Sequence, residues 1–210
     1  MEKLRVLLIQ SDTVWENAEQ NRLNYRRKIS SVKDDFDLVV LPELFSTGFS
    51  MNPEPIAETM TGETVNWMKS LADEYKSAIT GSVVIQEDNK FYNRQLFVHP
   101  SGNIDIYDKK HTFTYAGEDK VFASGSKKLI VDYKGWKICP MVCYDLRFPV
   151  WSRNMEDYDV LLYSANWPTP RMAAWNTLLK ARAIENMCYC IGVNRVGTDF
   201  LDNEFSGHSG

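Results

Sequence analysis

Several apolar runs of this chain stop at a side chain that can do chemistry. "FDLVVLPE" ends in Glu43, "IDIYDKKH" closes on Lys109, Lys110 and His111, "KICPMVC" ends in Cys143, and "VLLYSANW" ends in Asn166 and Trp167. Open α/β sheets gather ligands and chemistry at the carboxyl ends of their strands. A carboxylate, an ammonium, a thiol and an amide brought to one such edge make a workable hydrolytic centre. The carboxylate can take the thiol proton as sulfur attacks and then hand it to a departing amine. The ammonium favours the thiolate and can hold the oxyanion of a tetrahedral intermediate. A cysteine so placed needs no histidine partner.

Each residue also has a plainer reading. Cysteine is among the most buried residue types, and Cys139, Cys188 and Cys190 are read as core thiols. The spacings C-x3-C and C-x-C fit neither a zinc site nor C-x-x-C redox chemistry, and free thiols are expected. Glu43 taken alone could cap a turn, Lys110 is read as a solvated charge, and His111 as a hydrogen-bonded histidine that holds the lysine loop. Asp145 and Arg147 are expected to form an ion pair that braces the turn after Cys143.

The elements that must position these groups are legible as periodicity. Eight runs read as buried strands: "LRVLLIQ", "FDLVVL", "AITGSVVIQ", "FYNRQLFV", "KLIVDY", "WKICPMVC", "DVLLYSAN" and "YCIGVNRV". Helical patterns are predicted from about Trp15 to Lys33, after "TGET" through Val65, Met68, Leu71, Ala72 and Tyr75, and from about Arg171 to Met187. "EDNK", "PSGN" and "YKGW" read as hairpin turns. Helices covering sheets that also contain hairpins point to a layered α/β sandwich in one domain spanning 1–210. An apolar content of 44% and a charged content of 25% are ordinary for a globular chain of 210 residues. A formal charge of -4 leaves no general basic surface for nucleic acid, so a small molecule is the better partner. The apolar run at the N-terminus is too short for a signal peptide core or a membrane span, which predicts a cytoplasmic protein with no membrane partner.

The segments "LPELFSTGF" (41–49), "YDKKHTF" (107–113), "VCYDLRFP" (142–149), "SANWP" (164–168) and "ARAIENMCYCIGVNRVG" (181–197) closely resemble the nitrilase superfamily of carbon-nitrogen hydrolases. That resemblance implies a four-layer α-β-β-α sandwich. It also implies roles: Glu43 as general base, Cys143 as nucleophile, Lys109 as the catalytic lysine two residues before His111, and Glu118 as a second glutamate that positions the lysine and substrate. The backbone N–H of Tyr144 would share the oxyanion with Lys109, in an attack that leaves a thioester for water to hydrolyse, and the resemblance implies no metal or organic cofactor. Phe49, Tyr115, Asn166 and Trp167 are expected around the substrate.

Within the superfamily, "CYDLRFPVWSRN" with "SANWP" looks most like the omega-amidase branch, which implies hydrolysis of the terminal amide of short 2-oxo acid monoamides such as 2-oxoglutaramate and 2-oxosuccinamate. A substrate with a carboxylate needs a cation besides Lys109, and Arg171 is the candidate. The alternatives are an N-carbamoyl amino acid or aliphatic amide hydrolase, and, in another class, a catalytically silent binding scaffold. By the same resemblance, a homodimer is expected through "FPVWSRNMED" and "RMAAWNTLLKARAIEN". The family continues past "EFSGHSG" with further strands and a tail, so the domain is expected to lack those strands and to leave a sheet edge open.

Overall fold

The computed structural model describes residues 3–210. One sheet holds β1 (Val6–Leu8), β2 (Leu38–Val40), β3 (Ala78–Glu87), β4 (Lys90–Val98) and β5 (Ile104–Asp108) in that spatial order, the first three parallel and the last two added as antiparallel hairpins. The other holds β6 (Val131–Tyr133), β7 (Trp136–Val142), β8 (Val160–Ala165) and β9 (Tyr189–Asn194), with β7, β8 and β9 parallel. The helices are α1 (Ala18–Ser30), α2 (Glu63–Tyr75), the single turns α3 (Glu118–Val121) and α4 (Pro149–Ser152), and α5 (Met172–Asn186).

Alternation along the strands divides the core into layers. Leu38, Val40, Ala78 and Phe97 of the first sheet meet Ile138, Val160, Leu162 and Val193 of the second across the inter-sheet space. The opposite face of the first sheet, with Val39, Ile79, Val83 and Leu96, packs on Tyr25 and Ile29 of α1 and on Val65, Met68 and Leu71 of α2. The outer face of the second, with Cys139, Met141, Leu161 and Tyr163, packs on Met172 and Trp175 of α5. The result is the expected α-β-β-α sandwich.

Local chemistry sets the element ends. Helix α1 begins at Ala18, later than the periodicity predicts, because Glu16 adopts a positive φ and the Asn17 side chain caps the Gln20 N–H at 3.0 Å. The turns at Asp88-Asn89 and Lys134-Gly135 have both central residues at positive φ, the primed geometry that suits tight hairpins. The run "YCIGVNRV" does not form one strand. Arg195 turns inward to Asp12 at 2.8 Å, the chain changes direction, and β10 (Val196–Thr198) pairs instead with β11 (Glu204–Ser206). Beside β9, the outer strand of its sheet, Gly210 exchanges two hydrogen bonds with Gly192, so that stretch of the edge is paired.

Candidate active site

Both sheets contribute to one edge. The direction reversals at β4 and β5 leave β5 running parallel to β2, so Glu43 and Lys109 emerge together from the first sheet, while Cys143 and Asn166 emerge from β7 and β8 of the second. Lys109 Nζ donates to Glu43 Oε1 at 2.8 Å, and to Glu118 Oε2 at 2.8 Å and Oε1 at 3.1 Å. The Asn93 amide bridges the same carboxylates, at 2.8 Å to Glu43 and 3.1 Å to Glu118. Asn166 ties the sheets together: its backbone N–H donates to Glu43 Oε2 at 2.9 Å and its side chain to the Glu43 carbonyl at 2.6 Å. Gly125 matters here because its N–H bonds the Lys109 carbonyl, and a Cβ at 125 would stand 2.0 Å from the Asp108 carbonyl oxygen.

Cys143 sits where β7 gives way to a one-turn 3-10 helix over Cys143–Arg147, at φ 42, a conformation that non-glycine residues adopt only when their surroundings hold them in it. The hold comes from Asp145, whose carboxylate accepts the Val142 N–H at 3.1 Å, the Tyr107 hydroxyl at 2.7 Å, and the N–H of His111 at 2.9 Å. The His111 ring lies 2.8 Å from the same carboxylate through Nδ1 and stacks on Phe148 with centroids 3.7 Å apart. Arg182 of α5 donates to the Leu146 carbonyl at 2.7 Å. Thus His111 is tied through Asp145 to the turn that carries Cys143, while the expected Asp145–Arg147 pair is not formed. Asp145 is fully buried and satisfied by these donors, while Arg147 is exposed and lies over the Trp167 ring at 5.0 Å.

The electrostatics suit a protonated thiol beside a base. Burial pushes the Cys143 thiol well above its ordinary range and the Glu43 carboxylate raises it further, with Lys109 pulling the other way. Burial also opposes the Lys109 charge, but Glu118 and Glu43 more than offset it and the ammonium is held firmly. Glu118 is raised by its own burial against the pull of Lys109. Of the remaining cysteines Cys139 is in the core and Cys188 and Cys190 are half-buried against it; burial raises all three, Cys188 to about 11 and Cys190 to about 12.

Above this cluster opens a cavity of about 810 Å³. Glu43, Lys109, Cys143, Tyr144, Phe49, Tyr115, Asn166, Trp167 and Arg171 all line it, with Tyr115 at its exposed rim. Glu118 does not; it lies fully buried behind Lys109 and bonds the Phe113 N–H at 2.5 Å, so it positions the lysine without facing the cavity. Sequence reasoning missed Asn93, Arg147 and the wall formed by Trp15 and Phe200, whose rings stack 5.9 Å apart. Asn93 and Gln95 left a signal, two uncharged polar residues at alternate positions of a predicted strand and therefore on one face of it. Trp15 and Phe200 left none, since nothing local brings the start of the chain to the β10–β11 loop.

The carbon-nitrogen hydrolase family matches residues 5–210 of this chain. The omega-amidase YafV of Escherichia coli strain K12 is 43% identical over 210 residues, covering 100% of this chain and 81% of that protein. The 2-oxoglutaramate amidase of Bacillus subtilis strain 168 is 32% identical over 212 residues, covering 99% of this chain and 82% of that one. A CN-hydrolase superfamily protein from Xanthomonas campestris, whose crystal structure carries an arsenic adduct in the active site, superposes with a TM-score of 0.97 at 43% identity, over 100% of this chain and 82% of its own. With its two-sheet sandwich and these relatives, the chain belongs to the carbon-nitrogen hydrolases of the nitrilase superfamily, in the omega-amidase-like branch, and is a hydrolase of carbon-nitrogen bonds.

Proposed function

We propose that the chain hydrolyses the terminal amide of short 2-oxo acid monoamides, 2-oxoglutaramate and 2-oxosuccinamate among them, through a thioester on Cys143. The observation that carries this reading is the meeting of a buried thiol, a carboxylate and an ammonium beneath a cavity whose wall bears two unpaired guanidinium groups. Among the described residues neither Arg147 nor Arg171 forms an ion pair; each lies 5.0 Å from an aromatic ring, Trp167 and Phe113 respectively. A substrate carboxylate supplies the missing partner, and planar guanidinium groups suit it in a bidentate fashion. The names of the relatives, omega-amidase and 2-oxoglutaramate amidase, support the same substrate class.

In this reading Glu43 takes the thiol proton as Cys143 Sγ bonds to the amide carbon. Lys109 and the Tyr144 N–H hold the oxyanion; Tyr144 lies in the first turn of its helix, where an amide has no intrahelical carbonyl to meet. Collapse breaks the C–N bond and Glu43 delivers its proton to the departing ammonia. Water, deprotonated by Glu43, then attacks the thioester, the C–S bond breaks, and the thiol recovers its proton.

The test is ammonia release from 2-oxo acid amides, N-carbamoyl amino acids and simple aliphatic amides, run on the parent and on Cys143→Ala, with intact mass to find the acyl adduct. Preference for the 2-oxo acid amides and an adduct lost in the variant are expected. Equal rates across the panel overturn the substrate class, and absence of any adduct overturns the covalent route. For assembly, the exposed Val150, Met155 and Ile184 on the segments 148–157 and 171–186 support a homodimer, which light scattering on a sized sample would refute by finding one chain per particle.

A further inference from the structure

Asn93 has no part in the reaction as written above, yet its position is unlike that of the other polar groups. It lies inside β4 rather than at a strand end, because β4 runs against its neighbours and brings its early residues to the site edge. It is 1% exposed. Burying an amide costs free energy for each hydrogen bond left unmade, and among the described residues Oδ1 of Asn93 has no partner, so its two N–H bonds are what hold it. Here Nδ2 donates one hydrogen to Glu43 Oε1 and the other to Glu118 Oε1. Two carboxylates fix which end of the amide faces them, since only the nitrogen has hydrogens to give.

The donors around Glu43 can then be assigned. A carboxylate offers about four lone-pair sites, two on each oxygen. Oε1 receives Lys109 Nζ and Asn93 Nδ2, and Oε2 receives the Asn166 N–H. One site on Oε2 is left over. The titratable groups facing Glu43 are Lys109, Glu118 and Cys143, and of these only the thiol has a proton to give up in the first step.

We propose that Asn93 is a positioning residue for the hydrolysis: its amide locks Glu43 through Oε1 and leaves a single acceptor site on Oε2 for the Cys143 proton. The inference rests on the roles of Glu43 and Cys143 given under the proposed function. Asparagine suits the task because it adds a hydrogen bond without adding a charge. A lysine in its place would weaken the base, and an aspartate would bring a third carboxylate against Glu43 and Glu118.

The test compares Asn93→Ala, Asn93→Ser and Glu43→Gln with the parent, each first shown folded by circular dichroism and thermal melting. Two readouts are taken: kcat and KM across pH on the best amide, and the rate at which iodoacetamide alkylates Cys143, followed by peptide mass. For Asn93→Ala a fall in kcat of about 10–100-fold is expected with KM little changed, since a hydrogen bond to a charged group is lost at the base and not at the substrate. The acid limb of the rate profile should move to higher pH, because a carboxylate that loses a donor keeps its proton more tightly. Asn93→Ser, which keeps one donor, should fall between. An Asn93→Ala enzyme with parental kcat and an unmoved acid limb overturns the proposal, as does a change confined to KM or melting temperature; Asn93→Ser is judged by the same two outcomes. Alkylation separates this failure from a failure of the underlying reading. If Glu43→Gln slows alkylation of Cys143 and Asn93→Ala does not, the asparagine is not a positioning residue; if Glu43→Gln leaves alkylation unchanged, Glu43 is not the base.

Discussion

Replacing Lys109 by methionine keeps most of the side-chain volume and removes the one positive charge from the buried cluster. In the parent, two carboxylates share one ammonium, and Lys109 meets both Glu43 and Glu118 at 2.8 Å with every partner 1% exposed or less. Lys109→Met leaves two carboxylates facing each other through Asn93 with no counter-ion. Removing one partner of a buried ion pair costs about 3–5 kcal/mol. For a chain of this size that lowers Tm by about 6–20 °C. Activity should fall further than stability alone explains, by about 10²–10³-fold in kcat, because the proposed mechanism loses a donor to the oxyanion. Adding Glu118→Gln to Lys109→Met removes one of the two stranded charges, so the double variant should melt above Lys109→Met while remaining equally inactive. Thermal melts and kcat for the parent, both single variants and the double variant complete the cycle, with an expected coupling of at least about 1 kcal/mol. Strictly additive stabilities would refute the reasoning, because they would mean that the three charges do not act as one unit. Recovery of kcat in the double variant would refute the role given to the ammonium.

Two further outcomes follow from features away from the nucleophile. Arg147→Ala and Arg171→Ala should each raise KM for a 2-oxo acid amide by about 10-fold or more while leaving hydrolysis of an uncharged aliphatic amide little altered, as a lost charge-assisted hydrogen bond would do; equal effects on both substrates would argue against carboxylate recognition. Asp37 is held far below the usual carboxylate range by the Arg5 guanidinium, against its own burial, with Lys134 also within reach at 2.5 Å. Because the folded value is depressed, its contribution is complete above the unfolded value and drains away as the pH falls below about 4. Melting temperature measured from pH 6 down to pH 3 should drop more steeply in the parent than in Asp37→Asn, and parallel curves would count against this.

How much of this could be read in advance depends on whether the signal was local. Glu43, Lys109, Cys143 and Asn166 stand at the ends of apolar runs, and the continuous apolar character of those runs is set by burial on both faces, so strand ends and site residues emerged together. Where a second contact decides the matter, the sequence misleads. Asp145 and Arg147 are close in the chain and opposite in charge, yet Asp145 is claimed by Tyr107 and His111 from another sheet, and the short 3-10 helix turns Arg147 outward. "YCIGVNRV" is apolar enough for one strand, but the pull of Asp12 on Arg195 acts across 183 residues and breaks it. Asn93 is overlooked for a related reason: it lies inside the first half of an antiparallel strand, where the rule about strand ends does not look.

The groups proposed to react ride on different sheets. Glu43 and Lys109 belong to the first, Cys143 and Asn166 to the second, and the spacing between them is set by Leu38, Val40 and Phe97 meeting Ile138, Leu162 and Val193. The thickness of that hydrocarbon layer is therefore a gauge of the gap between base and thiol. A misplacement of about 1 Å in a reacting group can cost 10²-fold in rate. Leu162→Ala touches no catalytic side chain, but it would let the two sheets settle toward each other or stay apart over a void. Turnover in such a variant becomes a ruler for the distance between two halves of a protein core.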